Sequence, residues 1–180
     1  MEKDLIKSFF LQSQPLIKLY GKIYEKIKKK KTYTNATMFK NLQGKYNSKN
    51  KKEYFPKNVS KQFSENIKNI SKICLKKKNL KCIFMTQPAI YNVNLNKKDI
   101  EKLWFTPPFK NWALSMNSLV HLRDLYNNFL LINCEKNNLD CLDLSTLISN
   151  KTNFFYDDIH FNKEGNIFIG KTIYEYIKKN

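Results

Sequence analysis

The residues best suited to chemistry lie close together near the end of the chain, in the segment Asp157-Asp158-Ile159-His160. An aspartate three residues before a histidine on a loop can fold back within one turn, so that its carboxylate accepts a hydrogen bond from one imidazole nitrogen. That bond fixes the tautomer and leaves the other ring nitrogen able to take a proton, which is the base half of a Ser-His-Asp arrangement. Because such spacings also arise by chance, the pair Asp157 and His160 is a candidate that its surroundings must support.

Other reactive residue types give weaker signals. The four cysteines, Cys74, Cys82, Cys134 and Cys141, have mostly apolar neighbours and no C-x-x-C spacing, which favours buried free thiols and loosely fits a reducing compartment. Only two histidines, His121 and His160, are available as ligands, and His121 is expected to be an ordinary helix residue. The sequence therefore predicts no metal site and no cofactor.

The charge of the chain is large but carries little information about a partner. The 180 residues have a net charge of +18, and of the 33 basic residues only Arg123 is an arginine. Readout of nucleic acids favours arginine for bidentate and stacked contacts, so no specific nucleic-acid binding is predicted. The length fits one domain, and no apolar run is long enough for a transmembrane segment.

The elements that must position the candidate pair follow from the apolar periodicity and the prolines and glycines. The predicted order is a helix at 4–30, an irregular Lys/Asn-rich excursion at 32–56, a helix at 57–78, a strand at Lys81–Met85, a long loop at 89–117, a helix at 118–137, a strand at Asp140–Leu144 and a last helix at 163–178, N-capped by Asn162. The long loop is predicted either to cover the edges of the core or to form a wall of a substrate pocket. Strands that alternate with helices predict parallel pairing and an α/β fold. Two parallel strands cannot bury both of their faces against these helices, so a further segment or another chain is expected to complete the sheet.

The segment around His160 resembles the last conserved block of the SGNH/GDSL hydrolase family, in which D-x-x-H is followed by a glycine, here Gly165, and a final helix. The stretch from Phe63 to Pro88, a helix running into Cys82-Ile83-Phe84-Met85-Thr86-Gln87-Pro88, is similar to the family's fourth strand with its Thr-x-Pro end. The stretch from Tyr126-Asn127 to Asp143-Leu144 is similar to the fifth unit of the family. The likeness covers about residues 57–178.

The resemblance implies a fold and a set of roles. The fold would be the three-layer α/β/α, flavodoxin-like SGNH fold, truncated so that it carries the last two parallel strands and their helices. His160 would be the general base that deprotonates a serine, and Asp157 would orient it, with Asp158 as the less favoured alternative. Substrate would bind near the carboxyl ends of the strands, at Thr86, Gln87 and Pro88.

The sequence departs from the family at the nucleophile. None of the four glycines, Gly21, Gly44, Gly165 and Gly170, precedes Asp-Ser, and the Gly-x-Asn-Asp motif that supplies oxyanion donors is also missing. The strained elbow with small neighbours that a nucleophile needs is also missing at the other candidate serines, Ser13, Ser115, Ser118 and Ser145. The expected function is therefore that of a C-terminal fragment of an ester hydrolase, inactive in isolation, with an ester substrate of unknown type.

Two alternatives remain open at this stage. The first is a non-catalytic relic or interaction module that pairs an exposed strand edge with another chain, either the missing N-terminal half or a second copy. The second is a basic protein that binds acidic glycans or nucleic acid, against which the scarcity of arginine counts. Residues 1–56 are expected to be an N-terminal helix and excursion, and residues 57–180 the hydrolase-like part of a single domain. Localisation is open, cytoplasmic by default, since a signal peptide could lie on a missing N-terminal part.

Overall fold

The structure is a computed structural model, and it describes residues 44–77, 79–103, 111–148 and 150–179. The predicted helix at 4–30 lies outside these residues, as do residues 32–43 of the predicted excursion at 32–56. The described part of the chain is a mixed α/β fold, as the alternation of helices and strands predicts.

Among the described residues, three long helices form close to where the apolar periodicity places them. They are α1, Lys61–Lys76; α3, Met116–Asn137; and α5, Lys163–Lys179, with the shorter α2, Lys97–Ile100, and α4, Leu144–Ile148, between them. Each long helix begins at a side chain that accepts a hydrogen bond from a backbone N–H of its first turn: Ser60 for α1, Ser115 for α3 and Asn162 for α5. The predicted N-cap at Asn162 is confirmed by the 2.9 Å bond from the Gly165 N–H to its Oδ1.

In the described ranges, four short strands pair in parallel as two separate two-stranded sheets. Strand β2, Ile83–Met85, pairs with β4, Asp140–Leu142, with Ile83 opposite Asp140 and Met85 opposite Leu142. These are the two predicted strands, each shorter than expected, and the parallel pairing is confirmed. The Thr86 N–H continues the ladder by donating to the Leu142 carbonyl at 3.2 Å.

The second sheet lies where the sequence predicts none. Strand β1, Asn50–Lys52, pairs with β3, Trp112–Leu114, which places a strand in the excursion at 32–56 and another in the loop at 89–117. The prediction of irregular structure at 50–52 and 112–114 is therefore wrong. An Asn-Lys-Lys strand whose residues are all exposed has no apolar alternation, so only its partner strand defines it.

The core gathers around α3 and the segments that flank the short strands. Its most buried members are Ile90, Leu103, Ala113, Leu119 and Ile148, each at most 2% exposed. The apolar spacing of α3 predicts that Ile132 faces inward, but its side chain is 48% exposed and this expectation is wrong. On α1 the predicted apolar face exists, yet Ile70 and Ile73 are about half exposed, so this face lies open toward its surroundings.

The cysteines form two disulfides, Cys74–Cys82 and Cys134–Cys141, and no cysteine remains free. The prediction of buried free thiols is therefore wrong. The Cα atoms of the two pairs lie 5.9 and 6.1 Å apart, within the reach of a disulfide. Each bond starts in the last turn of a helix; the first reaches Cys82, directly before β2, and the second reaches Cys141 within β4. Because structural disulfides are typical of oxidising compartments, the reason for expecting a reducing one is lost.

Within the described ranges, none of the helices combines the length and the hydropathy that crossing a bilayer requires.

Candidate functional site

The candidate pair lies on a loop at residues 155–162 that closes on itself. The loop follows a 3₁₀ turn at Thr152–Phe154 and leads into α5. Phe155 and Phe161 form an isolated antiparallel bridge, and the Tyr156 N–H donates to the His160 carbonyl at 2.8 Å. The two ends of the loop are thus tied together, which holds the residues between them in one conformation.

Inside this loop Asp157 and His160 form a direct hydrogen bond. The His160 Nδ1 lies 2.8 Å from the Asp157 Oδ2, and the other carboxylate oxygen accepts from the backbone N–H groups of Ile159 and His160 at 3.0 and 2.8 Å. The Asp157 side chain is 5% exposed, whereas that of His160 is 45% exposed. With Nδ1–H donating to the carboxylate, the second ring nitrogen, Nε2, carries the lone pair. The aspartate is therefore a buried and fixed acceptor, and the imidazole that it orients reaches the surface.

The electrostatics of the two groups reflect the same contacts. Burial by itself would raise the pKa of Asp157, but the hydrogen bonds from the His160 ring and from two backbone N–H groups outweigh it and hold the pKa below 3.8. The hydrogen bond to Asp157 raises the pKa of His160 above 6.5, against the opposing effect of partial burial. The carboxylate thus stays ionised at neutral pH and favours the protonated imidazole, the form that a general base takes after it has accepted a proton.

The neighbouring Asp158 forms hydrogen bonds with another part of the chain, the segment that follows β2. Its carboxylate accepts from the Tyr91 hydroxyl at 3.3 Å, its carbonyl accepts from the Ile90 N–H at 2.9 Å, and it is 1% exposed. Burial and the Asp158 carboxylate raise the pKa of Tyr91 well above 10, so that the hydroxyl keeps its proton to donate. Asp158 thus joins the loop to the segment after β2, and Asp157, not Asp158, makes the hydrogen bond to the imidazole.

The predicted substrate residues Thr86, Gln87 and Pro88 lie directly before that segment. Thr86 is buried, and its hydroxyl donates to Asp143 at 2.7 Å and accepts from the Ser145 N–H at 2.8 Å. These bonds link the carboxyl end of β2 to the residues that follow β4. Pro88 is also buried, and only the Gln87 side chain is exposed. The structure brings this segment to the loop through Ile90, and of the three side chains Gln87 is the one placed at the surface.

Sequence reasoning missed the residue that holds Gln87 in place. The Asn127 side chain on α3 accepts from the Gln87 N–H at 2.9 Å and donates to the Gln87 carbonyl at 3.0 Å. This amide clamp fixes the backbone at the carboxyl end of β2. The available signal was a polar residue within the apolar stripe of a helix, since Asn127 is buried among leucines.

The serines near the two sheets have structural partners. Ser115 and Ser118 both donate to the Glu53 carboxylate, at 2.6 and 3.0 Å, and Ser118 also accepts from the Tyr54 N–H. These bonds join the start of α3 to the residues after β1. In the described ranges no group of three or more His, Cys, Asp or Glu side chains is placed to hold a metal ion.

Comparisons with known proteins give no match: no protein-family model, no curated protein and no solved structure is similar to the chain at a significant level.

Proposed function

We propose that the chain carries the general-base half of an SGNH-type ester hydrolase and acts together with a nucleophilic serine from a polypeptide segment outside the described residues. The observation that supports this is the 2.8 Å hydrogen bond between a buried, ionised Asp157 and the Nδ1 of a surface-reaching His160. The flavodoxin-like fold of that family is part of the proposal. It is supported by two parallel strands that alternate with α1 and α3 and are followed by the loop and a terminal helix.

In the proposed reaction, Nε2 of His160 takes the hydroxyl proton of the serine as its oxygen attacks the carbonyl carbon of the ester. Asp157 stabilises the imidazolium that results. The imidazolium then gives the proton to the departing alcohol as the tetrahedral intermediate collapses to an acyl-enzyme. Water, deprotonated by the same imidazole, releases the acid and restores the serine. The segment Thr86–Pro88 lies beside the loop and would contact the substrate, with Gln87 as the exposed side chain.

The oxyanion donors that the sequence lacks must come with the serine. Loss of a single donor typically costs a factor of about 100 to 1,000 in rate, so an isolated base is expected to give almost no turnover. The described chain alone is therefore proposed to be inactive toward esters.

The experiment begins with the protein isolated from its source cells. We expect its intact mass to exceed 21.5 kDa, or a second chain to co-purify with it. A fluorophosphonate probe should then label a serine outside the described residues. Replacing His160 with alanine in that assembly should abolish labelling and hydrolysis of p-nitrophenyl acetate, whereas His121→Ala, the matched histidine control, should not. A mass of 21.5 kDa with no labelled serine in the chain or in a co-purifying protein would refute the proposal.

A further inference from the structure

Within the described part of the chain, the β2–β4 sheet ends at β2. Among the described strands β2 pairs only with β4, and no described strand lies at its other edge. The Thr86 N–H points to β4, where it bonds to the Leu142 carbonyl. Because successive residues of a strand direct their backbone groups to opposite edges, the N–H and C=O groups of Ile83 and Met85 face the other side. An edge of this kind is a template for a further strand.

An apolar groove of about 600 Å³ runs along this edge. Ile83, Phe84 and Met85 all border it, although alternate residues of a strand point to opposite faces, so the groove follows the strand itself. Its walls come mainly from α1 and α3; they include Phe63, Ile67, Ile70, Tyr126 and Leu130. Met85 is 41% exposed and Ile70 47%, which is a large apolar surface to leave in water.

The charge around the groove indicates the kind of partner. Helix α1 has Glu65 as its one acidic residue and four lysines: Lys61, Lys68, Lys72 and Lys76. A second copy would bring the same lysines face to face, because two copies meet through identical surfaces. A segment with carboxylates beside its apolar residues would be attracted.

The chain's own N-terminal residues are a poorer fit. The apolar residues of 4–30 recur at three- and four-residue spacing, as in a helix, and the segment ends in the run Lys28–Lys31. This spacing predicts a helix, which would have no free backbone groups to offer a strand edge, and the lysine run would meet the lysines of α1.

We propose that the open edge of β2 and the groove beside it bind an extended, apolar segment of another polypeptide, flanked by acidic residues, which adds to the sheet as a third strand. This goes beyond the proposed hydrolase function and does not depend on it, because strand addition requires neither His160 nor a serine.

The test uses the full 180-residue chain and a fluorescein-labelled synthetic peptide with four β-branched apolar residues between two pairs of glutamates. Fluorescence anisotropy should show saturable binding. A peptide N-methylated at alternate apolar residues keeps the charge and the side chains but cannot donate to a strand edge, and its binding should be lost. Met85→Lys should weaken binding of the unmodified peptide by about tenfold or more, since it places a charge on the edge.

Ile177→Lys is the matched control. Ile177 lies on α5, is 52% exposed and does not line the groove, so the same change of charge there should leave binding unchanged. The comparison of the two peptides on the unmodified chain keeps the test valid if Met85→Lys fails to fold.

Three outcomes would overturn the proposal. Equal binding of the N-methylated and unmodified peptides would show that no strand forms. A dimer in analytical ultracentrifugation that Met85→Lys abolishes would identify a second copy as the occupant. Saturable binding of decanoate with no binding of the peptide would identify a pocket for an acyl chain.

Discussion

The loop at 155–162 and the edge of β2 are neighbours, but they differ in how far their polar and apolar groups are satisfied by the described chain. In the loop, the buried carboxylates of Asp157 and Asp158 accept hydrogen bonds from groups of this same chain. At the groove, the side chains of Met85 on β2 and Ile70 on α1 stay 41% and 47% exposed, and the backbone of the strand faces the groove. The loop is held largely by contacts between residues two to six positions apart, and Ile90 and Tyr91 connect it to the segment after β2. A sheet is assembled by contacts between distant segments, and among the described residues this sheet has two strands. The hydrogen bonds around Asp157 and His160 are thus complete within the loop, whereas the described part of the neighbouring sheet has only two strands.

The largest effect is expected from breaking the loop at its junction with α5. A Cβ at Gly165 would lie 2.3 Å from the Phe154 carbonyl oxygen, which is backbone and cannot swing away. Gly165→Ala should therefore lower the free energy of unfolding by about 3 kcal/mol, as measured by urea denaturation. Gly170→Ala in the same helix is the control. Nothing lies within 4 Å of a Cβ there, so the variant should gain about 0.5–1 kcal/mol. Equal shifts in the two variants would contradict the close packing of α5 on Phe154.

The two disulfides allow an effect on the groove to be separated from an effect on stability. The two bonds close loops of similar length, with sequence separations of 8 and 7 residues, and loss of either should cost about 2 kcal/mol. Cys74 and Cys82 line the groove, whereas Cys134 and Cys141 do not. Replacing both residues of the first pair with serine should therefore weaken peptide binding as well as stability. The same replacement of the second pair should reduce stability alone, and loss of binding in both would show that the groove depends only on global stability.

A smaller loss of stability is expected from Thr86, at the carboxyl end of β2. Its buried hydroxyl bonds to Asp143 and to the Ser145 N–H, so Thr86→Val should cost about 1–2 kcal/mol by leaving polar partners unsatisfied. Thr146 bonds to the other oxygen of the same Asp143 but is exposed, so Thr146→Val should cost less than about 0.5 kcal/mol. Thermal denaturation of the two variants measures the difference, and equal costs would mean that burial does not govern this contact.

The smallest effect is a pH dependence of stability from His160. Since its pKa in the folded chain lies above 6.5, its contribution is fully present below about pH 6.5 and is lost as the pH rises through the folded value. The unfolding free energy of the unmodified chain should exceed that of His160→Gln by more at pH 6 than at pH 8.5. The side chain is 45% exposed and screened by solvent, so the change should be a fraction of a kcal/mol. In an Asp157→Asn background this pH dependence should vanish, and its persistence there would assign it to another group.

The same contrast between local and distant contacts decides what the sequence predicts. The helices α1, α3 and α5 and the strands β2 and β4 carry apolar patterns of their own, and the patterns place them within a few residues. The Asp157–His160 contact is also local, because three residues separate the partners. Strand β1 has the sequence Asn-Lys-Lys and is a strand only because Trp112–Leu114 lies beside it. The disulfide pairing and the Asn127 clamp on Gln87 depend in the same way on how segments meet in space, which spacing along the chain does not encode.

The central claim is that the loop holds His160 as an oriented base, and the imidazole nitrogens report on this directly. Long-range ¹H–¹⁵N correlation spectra of the full chain, recorded across a pH titration, give the tautomer and the pKa of His160, with His121 as an internal reference. We predict the Nδ1–H tautomer at high pH and a pKa above 6.5 that falls in Asp157→Asn. An Nε2–H tautomer, or a pKa at or below 6.5 that Asp157→Asn leaves unchanged, would contradict the account.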